Sequence, residues 1–319
     1  MEHHKYYYVI LGSCWDLYKH CYRDILKMDN AIYISDDMVM SNPLLRLVLS
    51  DRHNLHIPNL LRKYIRSLLL KSKIQNNRPF CFLMFSNWVR YSNKTGLIDA
   101  LKKEYPNSRF VWFIQDLYRT VPYPTEPFDL ILSFDMGDSL QYGFHYYPLV
   151  FSKTDESINM APIYDVYFLG KAKNRLSEIL RAFEIMKDQG LRIDMNLVDV
   201  PKSEQIYADE INYIKGMAYE ENLQHLSSSK CALEIMQQGG VGYTMRYHEA
   251  IVYGKKLLSN NPYIKNSPFY DKKYMSYFEN SDMIDTDFLR NIKSGESICY
   301  NYNNEFSPIN LIKFIDNLL

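Results

Sequence analysis

Short apolar runs alternate with amphipathic stretches along most of this 319-residue chain. KYYYVILG (5–12) is β-branched and aromatic and ends in glycine, and WDLYKHCYRDILK (15–27) carries apolar residues at helical spacing, which together read as a βα unit. Strand signals recur in AIYIS (31–35), PFCFLMFS (79–86), RFVWFIQD (109–116) and FDLILSFD (128–135). Helical patterns fill the chain between the first and second of these, up to about residue 73, and again around GLIDALKKEY (96–105). Runs that are apolar without alternation fit strands covered on both faces, the habit of parallel sheets. The first half is therefore expected to be an open α/β domain.

The rhythm breaks at PYPTEP (122–127) and again over YYPLVFSKTDESINMAPIYD (146–165), the better linker because polar residues and prolines separate two strand-like runs. It then restarts with YDVYFLG (164–170), helix RLSEILRAFEIMKDQG, strand RIDMNLVDV, a helix near 203–214, helix YEENLQHLSSSK, strand CALEIM, helix TMRYHEAIVYGKK and strand LLSN. The expectation is an α/β protein of two Rossmann-like domains. Their bounds are 1–152 and 153–306, with SPINLIKFIDNLL supplying a closing helix over 307–319.

Thirty-seven basic and 37 acidic residues cancel, so no global field favours a polyanion such as nucleic acid, and any anion site has to be local. Five cysteines without a CxxC pair and no cationic, apolar leader point to a reduced, cytoplasmic protein. No window approaches the ~20 apolar residues that cross a bilayer. HIPNLLRKYIRSLLLKSK (56–73) has leucines and isoleucines at helical intervals and five Lys/Arg without an acid. Two readings stay open for it: a basic amphipathic helix lying on the inner face of a membrane, or a surface helix with its apolar face buried.

The chemistry concentrates in QQGGVGYTMRYHEAIVYGKKLLSNN (237–261), which holds three of the 12 glycines within four positions. CALEIM ends at that glycine turn, and Thr244 is placed to cap a helix whose first amides leave the carboxyl edge of the sheet. Glycines let backbone approach a phosphate, the helix start favours negative charge, and Arg246 in the first turn adds a forked contact. Glu249, three residues on, shares that face. A carboxylate repels phosphate, but it can accept hydrogen bonds from a ribose diol. GGVGYT is a poor match to GxGxxG, and Gly254-Lys255-Lys256 lacks the rest of a P-loop. The bland alternative is a glycine-rich turn beside an ordinary Arg-Glu pair.

FLGKAKNRL (168–176) together with CALEIMQQGGVGYTMRYHEAIVYGKKLLSNN resembles the C-terminal domain of GT-B-fold glycosyltransferases, especially bacterial polysaccharide enzymes related to glycosyltransferase families 1 and 4. The resemblance covers about residues 164–262. It implies that Gly170, Lys171 and Arg175 reach the diphosphate of a nucleotide sugar, with Gly240, Gly242, Tyr243 and Thr244 around it and Glu249 on the ribose. Where the family has a second glutamate near the donor sugar this chain has Val241, which leaves Gln237, Gln238 or backbone amides for that role and leaves retention or inversion open. The implied activity is transfer of a sugar to a glycan or lipid-linked acceptor in surface polysaccharide assembly. It needs neither metal nor cofactor, since Lys171, Arg175, Arg246 and the helix start stabilise the departing diphosphate. The rivals are a catalytically silent nucleotide-sugar-binding subunit and a transferase of a non-sugar group.

An inverting reaction needs a base from the first domain. Asp116, ending RFVWFIQD, is the best placed, with Asp36 and Asp37 as rivals. Gly12-Ser13 ends the first strand and is a further cleft candidate. Asp285-Thr286-Asp287 reads as a helix cap rather than a metal site, and His145 and His248 as structural.

Overall fold

A computed structural model describes residues 4–49, 58–72, 78–154, 162–290 and 298–319. They form two compact units, one of Met1–Ser152 with Phe306–Leu319 and the other of Lys153–Glu305.

In the first unit, β1 (Tyr7–Gly12), β2 (Ala31–Ser35), β3 (Phe80–Met84), β4 (Arg109–Ile114), β5 (Leu130–Ser133) and β6 (His145–Tyr146) make one parallel sheet in the order β2-β1-β3-β4-β5-β6. Its helices are α1 (Asp16–Cys21), α2 (Asp37–Met40), α3 (Pro43–Val48), α4 (Pro58–Lys71), α5 (Ser86–Thr95), α6 (Leu97–Glu104) and α7 (Met136–Tyr142). AIYIS is a strand over its whole length. The helix expected over 15–27 stops at Cys21 and continues as a 3-10 turn, Arg23–Lys27. Helices α5 and α7 were not visible in the apolar pattern. SNWVRYSNKT mixes polar residues through its length, yet Trp88, Val89 and Tyr91 are buried, and Gly96 at φ 67° separates it from α6. Helix α4 turns Leu61, Ile65 and Leu69 into the core beside Trp88, Leu101 and Phe110. The stripe of residues 56–73 is thus a core-facing stripe where it is described; residues 56, 57 and 73 lie outside the described residues.

The second unit repeats the plan. Strands β7 (Tyr164–Lys171), β8 (Ile193–Val198), β9 (Asn212–Ile214), β10 (Ser229–Glu234), β11 (Lys256–Ser259) and β12 (Met275–Tyr277) are parallel in the order β12-β11-β10-β7-β8-β9. Helices α8 (Leu176–Asp188), α9 (Tyr219–Ser227), α10 (Met245–Val252) and α11 (Thr286–Arg290) accompany them. The helix expected near 203–214 does not form. Lys202–Glu204 makes one 3-10 turn after Pro201, Tyr207 takes a left-handed φ of 55°, and Asn212–Ile214 pairs with β8 as an edge strand. Asp285 caps α11 by accepting from the Phe288 amide at 3.0 Å. Helix α12 (Pro308–Leu318) belongs to the first unit, where Tyr8 Oη donates to Asp316 Oδ1 at 2.7 Å and Ser307 Oγ to Asp24 Oδ2 at 2.7 Å.

Candidate functional site

Strand β7 sits mid-sheet in the second unit, with β8 and β9 following on one side and β10 to β12 on the other. The carboxyl ends of β7 and β10 therefore flank a topological switch point, the crevice where open parallel sheets take ligands. The glycine turn, the start of α10 and the segment Gly170–Arg175 all arrive there.

Thr244 caps α10 as the sequence suggests, its Oγ1 accepting from the Arg246 amide at 3.2 Å. Arg246 Nη1 donates to Glu249 Oε2 at 2.6 Å, its Nη2 to the Leu169 carbonyl at 3.1 Å, and its guanidinium lies 5.0 Å over the Tyr167 ring. Arg175 comes from the other side: Nη1 donates to the Ile235 carbonyl and Nη2 to the Lys171 carbonyl at 3.2 Å, pinning the ends of β10 and β7 together. Gly170 permits this approach, since a Cβ there would stand 3.2 Å from the Phe168 ring and 3.4 Å from Arg175 Nη2. Burial lowers the pKa of Arg175, with the like charge of Arg246 adding to it and Glu234 opposing. Burial also works against Arg246, but Glu249 together with Tyr167, Tyr219 and Glu234 outweighs it and the pKa is raised. Arg175 Nε is buried without a hydrogen-bond partner. The two cations sense each other's charge at the switch point, and that is the arrangement an anion relieves.

Two residues of the expected set are engaged within the protein. Glu249 does not present a free carboxylate for a ribose. It is buried, Oε1 accepts from Tyr219 Oη at 2.9 Å and Asn222 Nδ2 at 3.0 Å, and Oε2 holds Arg246. A carboxylate has about four lone-pair sites, so little acceptor capacity remains. Lys171 does not join the guanidiniums either: Nζ is 2.8 Å from Asp199 Oδ2 in an exposed pair across the ends of β7 and β8. Only its carbonyl takes part. Lys173 makes a bridge, its Nζ donating to Gln237 Oε1 at 2.8 Å, which ties the β7 loop to the glycine turn.

Gly240 closes that turn through its amide on the Gln237 carbonyl at 3.1 Å, and the Gly242 carbonyl accepts from Asn261 Nδ2 at 2.8 Å. Tyr243 stacks on Tyr247 with centroids 4.3 Å apart and reaches the Tyr263 carbonyl through its hydroxyl. Val241 is half-buried. His248 is fully buried with Nδ1 on the Thr244 carbonyl at 2.7 Å. Sequence reasoning missed Glu234. At the end of β10 its two oxygens accept from Thr244 Oγ1 and Ser259 Oγ, so it fixes the cap of α10 against β11. Burial raises its pKa, against both hydroxyls and the charges of Arg175 and Arg246. A polar residue closing an apolar strand was the available signal.

In the first unit the switch point lies between β1 and β3. Asp36 is buried beside it and accepts from the Cys14 amide (2.7 Å), Asn87 Nδ2 (2.7 Å) and Tyr91 Oη (3.0 Å). Asp37 pairs with Lys19 at 3.3 Å. Gly12 is occupied too, its carbonyl accepting from Trp88 Nε1 at 2.7 Å. Asp116 is exposed just beyond β4, with Oδ1 accepting from the Leu117 amide at 3.0 Å. His145 is exposed on the edge strand β6.

No protein-family model matches the sequence, and no curated protein does. Among solved structures the chain is similar to a DNA-modifying beta-glucosyltransferase studied with and without uridine diphosphoglucose, at 10% identity and a TM-score of 0.50 over 98% of this chain and 94% of that one. It also matches an alpha-glucosyltransferase in complex with UDP and DNA (11% identity, TM-score 0.45, 97% and 90% covered) and an E. coli heptosyltransferase with an ADP-heptose analogue (10%, 0.39, 89% and 98%). The first likeness establishes the fold: the chain has the GT-B fold, two α/β units each built on a six-stranded parallel sheet.

Proposed function

We propose that this GT-B-fold chain is a glycosyltransferase that binds a nucleotide diphosphate-sugar at the switch point of its second sheet and transfers the sugar to a glycan or lipid-linked glycan acceptor. The observation that carries the reading is the convergence of Arg175 and Arg246 beside the Thr244-capped start of α10. Two guanidiniums at a helix start form an anion site, and the buried, unpaired Arg175 Nε is a donor that a phosphate oxygen can take after a small shift. In this reading Arg175, Arg246 and the α10 amides stabilise the charge that develops on the departing nucleoside diphosphate. That leaves no obligatory role for a metal. Glu249 acts first on Arg246, holding its guanidinium in place. A ribose hydroxyl would share the remaining acceptor site on Oε2.

For an inverting transfer the acceptor hydroxyl attacks the anomeric carbon, the bond to the diphosphate breaks, and the hydroxyl proton passes to a base. Asp116 is our candidate, because Asp36 already accepts three hydrogen bonds whereas Asp116 is exposed at a strand's carboxyl end. A cytoplasmic role in surface polysaccharide assembly is the setting we propose.

The test is a melting-temperature screen of the whole chain against UDP, GDP and ADP, repeated on Arg175→Ala and Arg246→Ala, followed by turnover with a panel of donor sugars. A ligand-specific stabilisation that both variants lose supports the site. An undiminished shift moves the site elsewhere, and stabilisation without turnover on any donor favours the silent binding subunit.

A further inference from the structure

The described part of the segment from Met38 to Ser72 contains no acidic residue, and it exposes leucines. On α3 Leu44 is 73% exposed, beside exposed Arg46 and Leu47. On α4 the core takes Leu61, Ile65 and Leu69, so the opposite face is Leu60, Lys63, Ser67, Leu70 and Lys71, at spacings of three, seven, ten and eleven residues from the first. Leu60 is 41% and Leu70 71% exposed on that face. An ordinary solvated face would be polar throughout; this one interleaves leucine with lysine.

Val39 and Leu49, which flank α3 on either side, belong to the same buried cluster as Leu61, Ile65 and Leu69 of α4. Two acids of the described residues around α4 are paired. Asp37 pairs with Lys19, and Glu104 with Arg62 at 3.2 Å and Arg66 at 3.4 Å. Arg46, Lys63 and Lys71 are exposed without a carboxylate partner among the described residues.

From this pattern we infer that the outer face of α4, with α3, docks on the surface of an anionic lipid bilayer. Cations among protruding leucines suit a surface that is negative at its headgroups and apolar just beneath. Nucleic acid offers the leucines nothing, and the described residues of α3 and α4 carry no acid to pair with a basic protein partner. The apolar stripe that the sequence offered to a membrane is the one the core has taken, so contact runs through the reverse face. This inference does not depend on the donor site, because lipid binding requires no nucleotide.

The experiment is co-sedimentation of the full chain with phosphatidylglycerol–phosphatidylcholine vesicles and with pure phosphatidylcholine vesicles. We expect binding to the anionic vesicles alone, weakened about 30-fold in Lys63→Glu/Lys71→Glu and about tenfold or more in Leu44→Ser/Leu70→Ser. Absence of binding to anionic vesicles overturns the proposal, as does binding unchanged in both variants. A concentration-dependent dimer abolished by the leucine pair would give the face to a second copy instead. Circular dichroism checks that the variants fold; should the leucine pair fail, the lysine pair carries the test.

Discussion

The carboxyl edges of the two sheets are built from opposite charges. At the first, Asp36 gathers the Cys14 amide, Asn87 and Tyr91, Asp135 caps α7, and Asp138 accepts from the Tyr118 amide at 2.6 Å. At the second, the guanidiniums of Arg175 and Arg246 stand at the crevice, and both nearby acids are buried beneath them as supports. One edge spends carboxylates on holding loops and leaves Asp116 over; the other spends carboxylates on holding cations and a helix cap. Under the proposed function this division is chemical: a base belongs where protons leave, and cations belong where negative charge develops.

Substitutions can break that comparison. The largest effect is expected at the first edge, where Asp116→Asn should lower turnover about 10²–10⁴-fold with little change in melting temperature. Asp36→Asn should behave the other way, losing stability first because it redirects three donors. If turnover survives in Asp116→Asn, the first edge supplies no base there. Next comes the second edge, where Arg175→Ala should cost about 10²–10³-fold in turnover and abolish stabilisation by a nucleoside diphosphate. Arg246→Ala should do the same and also destabilise the unit by about 3–5 kcal/mol, since Glu249 would be left buried without its cation.

Protons probe the two units in parallel. Burial holds His20 in the first and His248 in the second down at about 4 from an ordinary value of 6.5. For His20 the neighbouring Arg23 acts in the same sense. A depressed histidine stabilises the fold fully above its unfolded value, and the benefit is lost as pH falls from 6.5 toward 4. Each contributes about 3 kcal/mol at most. Melting curves should drop through that window, and His248→Gln should flatten the response of the second unit alone. The smallest effect concerns Gly254, at φ 58°, where a Cβ would meet the Ile298 carbonyl oxygen at 2.7 Å. Gly254→Ala should cost about 1–3 kcal/mol in thermal stability without altering nucleotide affinity.

What the amino-acid string revealed follows from how local each feature is. Continuous apolar runs such as RFVWFI declared a strand because both faces of a parallel sheet are covered, and Thr244 declared a cap because its partner amide is two residues away. Arg175 and Arg246 were legible as cations near glycines. The partners of Lys171 and Glu249 were not legible, because Asp199 stands just beyond the next strand and the donors Tyr219 and Asn222 come from α9. Glu234 stayed hidden for the same reason: its hydroxyl partners lie 10 and 25 positions along the chain and meet it only once β10 and β11 are paired. The stretch near 203–214 misled in the opposite direction. Its residues suit a helix, but edge pairing with β8 and the left-handed turn at Tyr207 prevail.

Helix α12 has a consequence for biosynthesis. The first unit is interrupted by the whole of the second, and its first strand is secured through Tyr8 and Asp316, residues 308 positions apart. During vectorial translation the second unit, a continuous stretch, has all its strands outside the ribosome while the first still awaits its last helix. Chains truncated before residue 306 and released should therefore carry a protease-resistant second unit beside an unfinished first.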